Sequence, residues 1–103
     1  MKILATNYRC PAGEADIIAL DPSTRRTYGA ETIAIVEVKT RRSDHYTDPE
    51  SAVDRDKQRR LKRIAGTYLA SRDTREYNLR FDVVAVLAPE GHRPQIRHIP
   101  GAF

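Results

Sequence analysis

The segment Thr32–Lys39, with the sequence TIAIVEVK, gives the clearest indication of the fold. Its isoleucine and valine residues are β-branched and apolar, which favours a buried strand. Two charged residues, Glu37 and Lys39, interrupt the apolar run at its end. Side chains two positions apart on a strand project from the same face, roughly 7 Å apart, so both charges face one side. Such a pair is solvated, forms an ion pair or takes part in chemistry.

Apolar segments on both sides of this strand predict four further strands. They span residues 3–7, 15–20, 80–87 and 95–99. A polar hairpin is expected after the second strand, and a polar loop over residues 41–49. A helix is predicted from near Glu50 or Asp54 to about Ser71, because apolar residues recur there every three to four positions. This order predicts an α/β fold with a mixed sheet and one long crossover helix.

Length and composition restrict the class of protein. A chain of 103 residues predicts a single domain over residues 1–103. No apolar run reaches the roughly 20 residues that a membrane-spanning helix needs, and the start lacks the apolar region of a secretory signal. The single cysteine, Cys10, cannot form an internal disulfide. We therefore expect a soluble cytoplasmic protein without a membrane partner.

Basic residues cluster around the predicted helix, in a chain whose formal net charge is +4. This clustering predicts contacts with nucleic-acid phosphates, while a solvated helix face is the competing interpretation. The candidates for phosphate contact are Arg41, Lys57, Arg59, Arg60 and Arg63. Lys57 differs from the others because it falls on the apolar stripe of the helix. Its side chain is expected to reach toward phosphate or toward Glu37, or to bury only its stem.

A second acid, Asp16, lies on the preceding predicted strand, on the face that carries Ile18. A hairpin would place this strand beside Thr32–Lys39, so that the carboxylates of Asp16 and Glu37 converge. Like charges at close range are costly unless a cation lies between them. Carboxylate ligands predict Mg²⁺ or Mn²⁺ as the cofactor. Lys39 would then orient water or shield charge on a phosphate.

The order of several short motifs resembles one protein family across essentially the whole chain. The motifs are Asn7–Pro11 (NYRCP), Gly13–Ala19 (GEADIIA), Ile35–Arg41 (IVEVKTR), Lys57 and Arg80–Val84 (RFDVV). Together they look like the bacterial YraN family of predicted endonucleases, which is similar to archaeal Holliday-junction resolvases within the PD-(D/E)XK superfamily.

The resemblance implies a restriction-endonuclease-like fold and a Mg²⁺-dependent phosphodiesterase, an endonuclease acting on structured or branched DNA. It implies Asp16, Glu37 and Lys39 as catalytic residues, and Asp16, Glu37 and the backbone carbonyl of Val38 as metal ligands. Related family members open with a helix that is absent from this sequence. Without that helix one apolar sheet face would stay uncovered, so we expect either a shortened chain or a homodimer.

The roles of several other residues are less clearly indicated by the sequence. Glu14 is a candidate third metal ligand or a solvated turn acid. Asp82 is expected to form a structural pair with Arg80 rather than a site. His45 is a candidate substrate contact, and His98 is expected to be an ordinary surface residue. Two other functions compete with the nuclease: a catalytically inactive nucleic-acid-binding module on the same fold, and a protein-interaction domain whose Glu37–Lys39 pair is a salt bridge.

Overall fold

Five strands form one sheet in the order β1-β2-β3-β4-β5 in the computed structural model, which describes residues 1–41, 53–72 and 76–103. The strands are β1 (Lys2–Cys10), β2 (Gly13–Asp21), β3 (Thr32–Arg41), β4 (Asn78–Leu87) and β5 (Gln95–Ile99). A 3₁₀ turn (Pro22–Thr24) and a short helix α1 (Arg25–Tyr28) precede β3, and the long helix α2 (Arg55–Ala70) follows it.

The sheet is mixed. Strands β3 and β4 are parallel, whereas the other three neighbouring pairs are antiparallel. Parallel neighbours need a crossover connection, and α2 lies between β3 and β4 in the chain. This confirms the predicted α/β architecture with one long helix between two strands of a mixed sheet.

Helix α2 begins where Asp54 caps it, since the Asp54 carboxylate accepts the backbone N–H of Lys57 at 2.8 Å. This agrees with the predicted start at Asp54, while the alternative start at Glu50 lies outside the described residues. The helix packs on β1 and β2, and Tyr8 meets Tyr68 edge to face with ring centroids 5.3 Å apart. No helix in the described part of the chain is long and apolar enough to cross a membrane.

The connection between β2 and β3 differs from the predicted polar hairpin. The side chain of Asp21 accepts the backbone N–H of Ser23, and Pro22 occupies the first turn, so a 3₁₀ turn forms and leads into α1. Gly29, with a φ of 75°, ends α1. Arg41, expected at the start of a loop, belongs to β3, and the rest of that predicted loop lies outside the described residues.

The two faces of the sheet are built differently. The face that carries α2 buries apolar side chains of β3 and β4, among them Ile33, Ile35 and Val83. On the opposite face the chain buries Val36 and also a carboxylate, Asp82, which is fully enclosed. The face that the sequence predicts to be apolar therefore also carries the expected pair of Asp82 and Arg80. The homodimer expected from that face stays a prediction.

Candidate active site

The acid and lysine of the predicted site lie near the end of β3. Glu37 pairs in register with Val83 of β4, and Lys39 pairs with Ala85. Val83 is buried in the core beneath α2, so Glu37 and Lys39 project toward the helix. Since the apolar core continues to this point, the Glu37 carboxyl is held at the margin of the core, and the residue as a whole is 5% exposed.

Asp16 lies at an irregularity in β2. Regular alternation would put Ala15 and Ile18 on opposite faces, yet both are fully buried in one core cluster. The alternation is therefore interrupted between them. Asn7 of β1 lies across from Asp16, between the pairs Thr6↔Ile17 and Tyr8↔Ala15, and has a φ of 50°. This positive φ marks a local departure from regular strand geometry opposite Asp16.

The Asp16 side chain reaches across to β3. Its Oδ2 accepts the backbone N–H of Val38 at 2.8 Å, just beyond the point where the pairing of β2 with β3 ends at Ile17↔Val36. The N–H and C=O of one strand residue point to the same side, so the Val38 carbonyl also points toward β2. That carbonyl is the one expected to serve as a metal ligand.

Glu37 forms one ion pair within the described residues. Lys57 Nζ lies 3.2 Å from Glu37 Oε2, and the two side chains are 30% and 7% exposed. The contact lies outside hydrogen-bond geometry, so Oε2 is enclosed with no hydrogen-bond partner in the described part of the chain. The structure therefore pairs Glu37 with Lys57, a helix residue, rather than with Lys39 of its own strand.

The two acids have opposite pKa shifts. Burial raises the pKa of Glu37 to about 7, and the neighbouring Asp16 carboxyl adds to this through hydrogen bonding and repulsion. Burial also acts to raise the pKa of Asp16, but the hydrogen bonds with Glu37 and with Val38 N–H outweigh it, so this pKa is lowered. Near pH 7 the pair therefore holds more negative charge on Asp16 than on Glu37.

The pKa values of the two lysines, Lys39 and Lys57, are also shifted in opposite directions. Interaction with the Lys57 ammonium lowers the pKa of Lys39, and burial adds to this effect. Burial acts against the Lys57 ammonium, but its contacts with Lys39 and Glu37 outweigh burial and raise its pKa. Two carboxyls and two ammonium groups are thus packed together where β2, β3 and the first turn of α2 meet.

The other predicted phosphate contacts surround this cluster. Arg41, at the end of β3, is exposed. Arg59, Arg60 and Arg63 are exposed on α2, and Arg59 forms a surface ion pair with Asp56 at 3.2 Å. Arg60 lies over the β1–β2 turn, because a Cβ added at Gly13 would meet its Cδ at 2.9 Å.

One basic residue was missed by the sequence analysis. Ala85 pairs with Lys39 on one side and with Arg97 on the other, so these three residues form a row across β3, β4 and β5. Arg97 is exposed, and Ile99, two residues further along β5, packs against the core beneath α2. Arg97 therefore projects from the same face as Lys39. Only the register of β5 reveals this, since Arg97 is 58 residues from Lys39 in the chain.

Glu14 and Asp82 do not join the cluster. Glu14 pairs with Arg9 at 3.3 Å, which favours the solvated turn acid over a third metal ligand. Asp82 lies on the opposite face and binds Arg80, as expected of a structural pair. His98 is exposed, as expected of a surface residue, but it also binds Asp82 at 2.8 Å, which the sequence does not predict. His45 lies outside the described residues.

A metal ion would have few side-chain ligands here. Within residues 1–41, 53–72 and 76–103, no group of three or more His, Cys, Asp or Glu side chains is placed to hold one.

A separate open cleft of about 420 Å³ contains none of the candidate residues. Its lining consists of Arg25, Gly29, Ala30, Glu31, Glu76 and Tyr77.

The described residues thus define an α/β protein with a mixed five-stranded sheet and a carboxylate–lysine cluster beside its long helix. The chain belongs to the uncharacterised protein family UPF0102, whose model matches residues 1–86. It is 45% identical over 103 residues to a UPF0102 protein of Nocardia farcinica (strain IFM 10152), covering 100% of this chain and 75% of the relative.

Two further relatives show the same pattern. A UPF0102 protein of Geobacter metallireducens is 45% identical over 102 residues, which cover 99% of this chain and 76% of the relative. One of Syntrophus aciditrophicus is 50% identical over 96 residues, covering 92% and 69%. The relatives carry only the family name, so the comparisons establish the family relationship and the chemistry has to be argued from the site.

Proposed function

We propose that this protein is a metal-dependent endonuclease of the restriction-endonuclease-like class that acts on structured or branched DNA. The observation that carries the proposal is the buried carboxylate oxygen of Glu37, which has no hydrogen bond among the described residues and lies beside Asp16 and two lysines. A buried carboxylate that lacks hydrogen bonds is costly, and acids with strongly shifted pKa values cluster at functional sites.

The donor set fits a hard divalent cation. Asp16 and Glu37 supply carboxylate oxygens, and the Val38 carbonyl points to the same side as Asp16. Oxygen donors of this kind suit Mg²⁺ or Mn²⁺, which also keep several water ligands and so need few from the protein. When bound, such an ion supplies Lewis-acid stabilisation of a phosphate and lowers the pKa of a bound water.

The chain's own residues complete the proposed chemistry. Lys39 projects from the same face as Glu37, where its ammonium can hold a water or compensate charge on a phosphate. The exposed Arg41, Arg59, Arg60, Arg63 and Arg97 supply the positive field that attracts a nucleic-acid backbone. The restriction-endonuclease-like fold is part of this proposal, supported by the mixed sheet with an acid pair on adjacent central strands.

One observation favours a second candidate. The Lys57 ammonium already neutralises Glu37, as a static ion pair would in a nucleic-acid-binding module that has lost catalysis. Such a module would bind DNA with a strong salt dependence and leave it intact.

Calorimetric titration with Mg²⁺ and Mn²⁺ tests the proposal. Wild type should bind a divalent ion in the millimolar range or tighter, and Asp16→Asn and Glu37→Gln should lose most of that binding. An ion that binds only the folded state adds about 1.4 kcal/mol at ten times its dissociation constant, so the melting temperature should rise in parallel.

Glu31→Gln is the matched control, because Glu31 stands about 20 Å away at the other end of β3. This variant should bind metal as wild type does. Lys39→Ala should bind metal but no longer cleave branched DNA. Metal binding and DNA binding without cleavage by wild type would favour the inactive module. If wild type binds no divalent ion at millimolar concentration, the nuclease proposal fails and a protein-interaction role takes its place.

A further inference from the structure

We propose that Lys57 is a built-in cation that holds the place of the metal ion in the metal-free protein and must leave Glu37 when the ion binds. The inference rests on the proposed function, since it concerns the same site. It adds a positioning role for a helix residue that the catalytic set of Asp16, Glu37 and Lys39 does not include.

The backbone of Lys57 is held in place by the N-cap of α2. Its N–H donates to the Asp54 cap at 2.8 Å, which anchors the residue in the first turn of α2. Lys57 lies on the stripe of the helix that also carries the buried Leu61, so the side chain points at the sheet. The stem is half-buried and directs the ammonium toward β3.

The ammonium lies beside a buried carboxylate oxygen that has no hydrogen bond among the described residues. Lys57 Nζ is 3.2 Å from Glu37 Oε2, and this is the ion pair that Glu37 makes within the described residues. A well-aligned hydrogen bond between an ammonium and a carboxylate is roughly twice as strong as one between neutral groups. The Lys57 ammonium compensates the charge of Glu37 at 3.2 Å without the alignment of a full hydrogen bond.

Two cations cannot occupy this oxygen together. A divalent ion on Glu37 would lie in immediate contact with the Lys57 ammonium, and like charges repel strongly at such distances in a partly buried site. Lys39 is a further neighbour of Lys57, and its pKa is lowered by that contact. The displaced ammonium would then remain beside Lys39 with no carboxylate to neutralise it, where an anionic phosphate is the complementary partner.

Titration of metal alone, without DNA, measures this competition. Lys57→Gln keeps a polar side chain of similar length and removes the competing charge, so its affinity for Mn²⁺ should rise by about tenfold or more. Lys57→Arg keeps the charge and should not gain affinity. Lys62→Gln removes a lysine charge at an exposed position of the same helix and controls for long-range electrostatics.

A second measurement uses the intact wild type. The ¹H–¹³C NMR signal of Lys57 Cε should move toward the position of solvated lysines as Mg²⁺ is added, whereas the Lys62 signal should stay in place. A wild type that binds metal while Lys57→Gln binds equally or more weakly, or while the Lys57 signal does not move, would overturn this inference alone. Absence of divalent binding to wild type would instead remove the proposed function.

Discussion

Two buried acids on neighbouring strands, one on each face of the sheet, differ in how fully their oxygens are hydrogen-bonded. Asp82 of β4 is fully buried and accepts four hydrogen bonds, two from Arg80 at 2.8 and 3.0 Å, one involving His98 at 2.8 Å and one from the Gly101 N–H at 3.1 Å. Glu37 of β3 has one ammonium at 3.2 Å and an enclosed oxygen without any hydrogen bond among the described residues.

The pKa values of the two acids reflect this difference. Burial acts to raise the pKa of Asp82, but the hydrogen bonds with Arg80 and His98 outweigh it, so that pKa is lowered. Burial and Asp16 together raise the pKa of Glu37 to about 7. A buried acid whose oxygens are all satisfied stabilises the fold, whereas one left short of partners is a candidate for chemistry.

The largest expected effect follows from removing Asp82, the buried acid whose oxygens accept several hydrogen bonds. Asp82→Ala leaves Arg80 without its main partner and removes the group that holds His98 and Gly101. We expect the free energy of unfolding to fall by about 3–5 kcal/mol, the usual cost of removing one partner of a buried ion pair. Urea denaturation measures it. Glu14→Gln, which breaks an exposed pair with Arg9, should cost less than about 1 kcal/mol. Equal losses in the two variants would contradict the structural role of Asp82.

The second prediction is that removing the charge of Glu37 stabilises the protein, whereas removing Asp82 destabilises it. A folded-state pKa of about 7, above the ordinary value of 4.5, means that the protonated acid favours folding and that this contribution is lost as pH rises from 4.5 to 7. Glu37→Gln mimics the protonated acid. In EDTA the variant should match wild type near pH 4.5 and exceed its stability by on the order of 2–3 kcal/mol above pH 7.

Urea denaturation at several pH values between 4.5 and 8.5 checks this difference. Taking the difference between variant and wild type cancels the contributions of Asp82 and other groups common to both. Parallel stability curves across this range would mean that Glu37 is as well satisfied as Asp82 and would end the contrast between the two acids.

The smallest expected effect concerns two arginines, one on each face of the sheet. Arg80 is tied to Asp21 and Asp82 on one face, while Arg97 on the other face is exposed in the same row as Lys39. If DNA crosses that face, Arg97→Ala should reduce the slope of log affinity against log salt by about one unit. Arg26→Ala, at an exposed position on α1, should leave the slope unchanged. Equal slopes for both variants would exclude Arg97 from the DNA contact.

Much of the fold follows from local patterns in the sequence. Short apolar and β-branched segments predict all five strands, and the three-to-four spacing predicts α2 with its cap at Asp54. The last strand, Gln95–Ile99, is predicted with its observed bounds. Such patterns depend on residues within a few positions of each other, because the periods of 2 and 3.6 are properties of single elements. The convergence of Asp16 and Glu37 also follows, since their strands are consecutive in the chain.

Only the tertiary structure decides which partner each acid acquires. Glu37 pairs with Lys57 rather than Lys39 because the crossover brings the first turn of α2 over the end of β3. His98 reaches Asp82 because β5 pairs with β4 in one particular register, and a shift of one residue would turn His98 to the other face. The sequence determines which residues carry charge and which element each occupies. Register and helix docking, which depend on packing between distant segments, determine which charges are compensated and which are left short of partners.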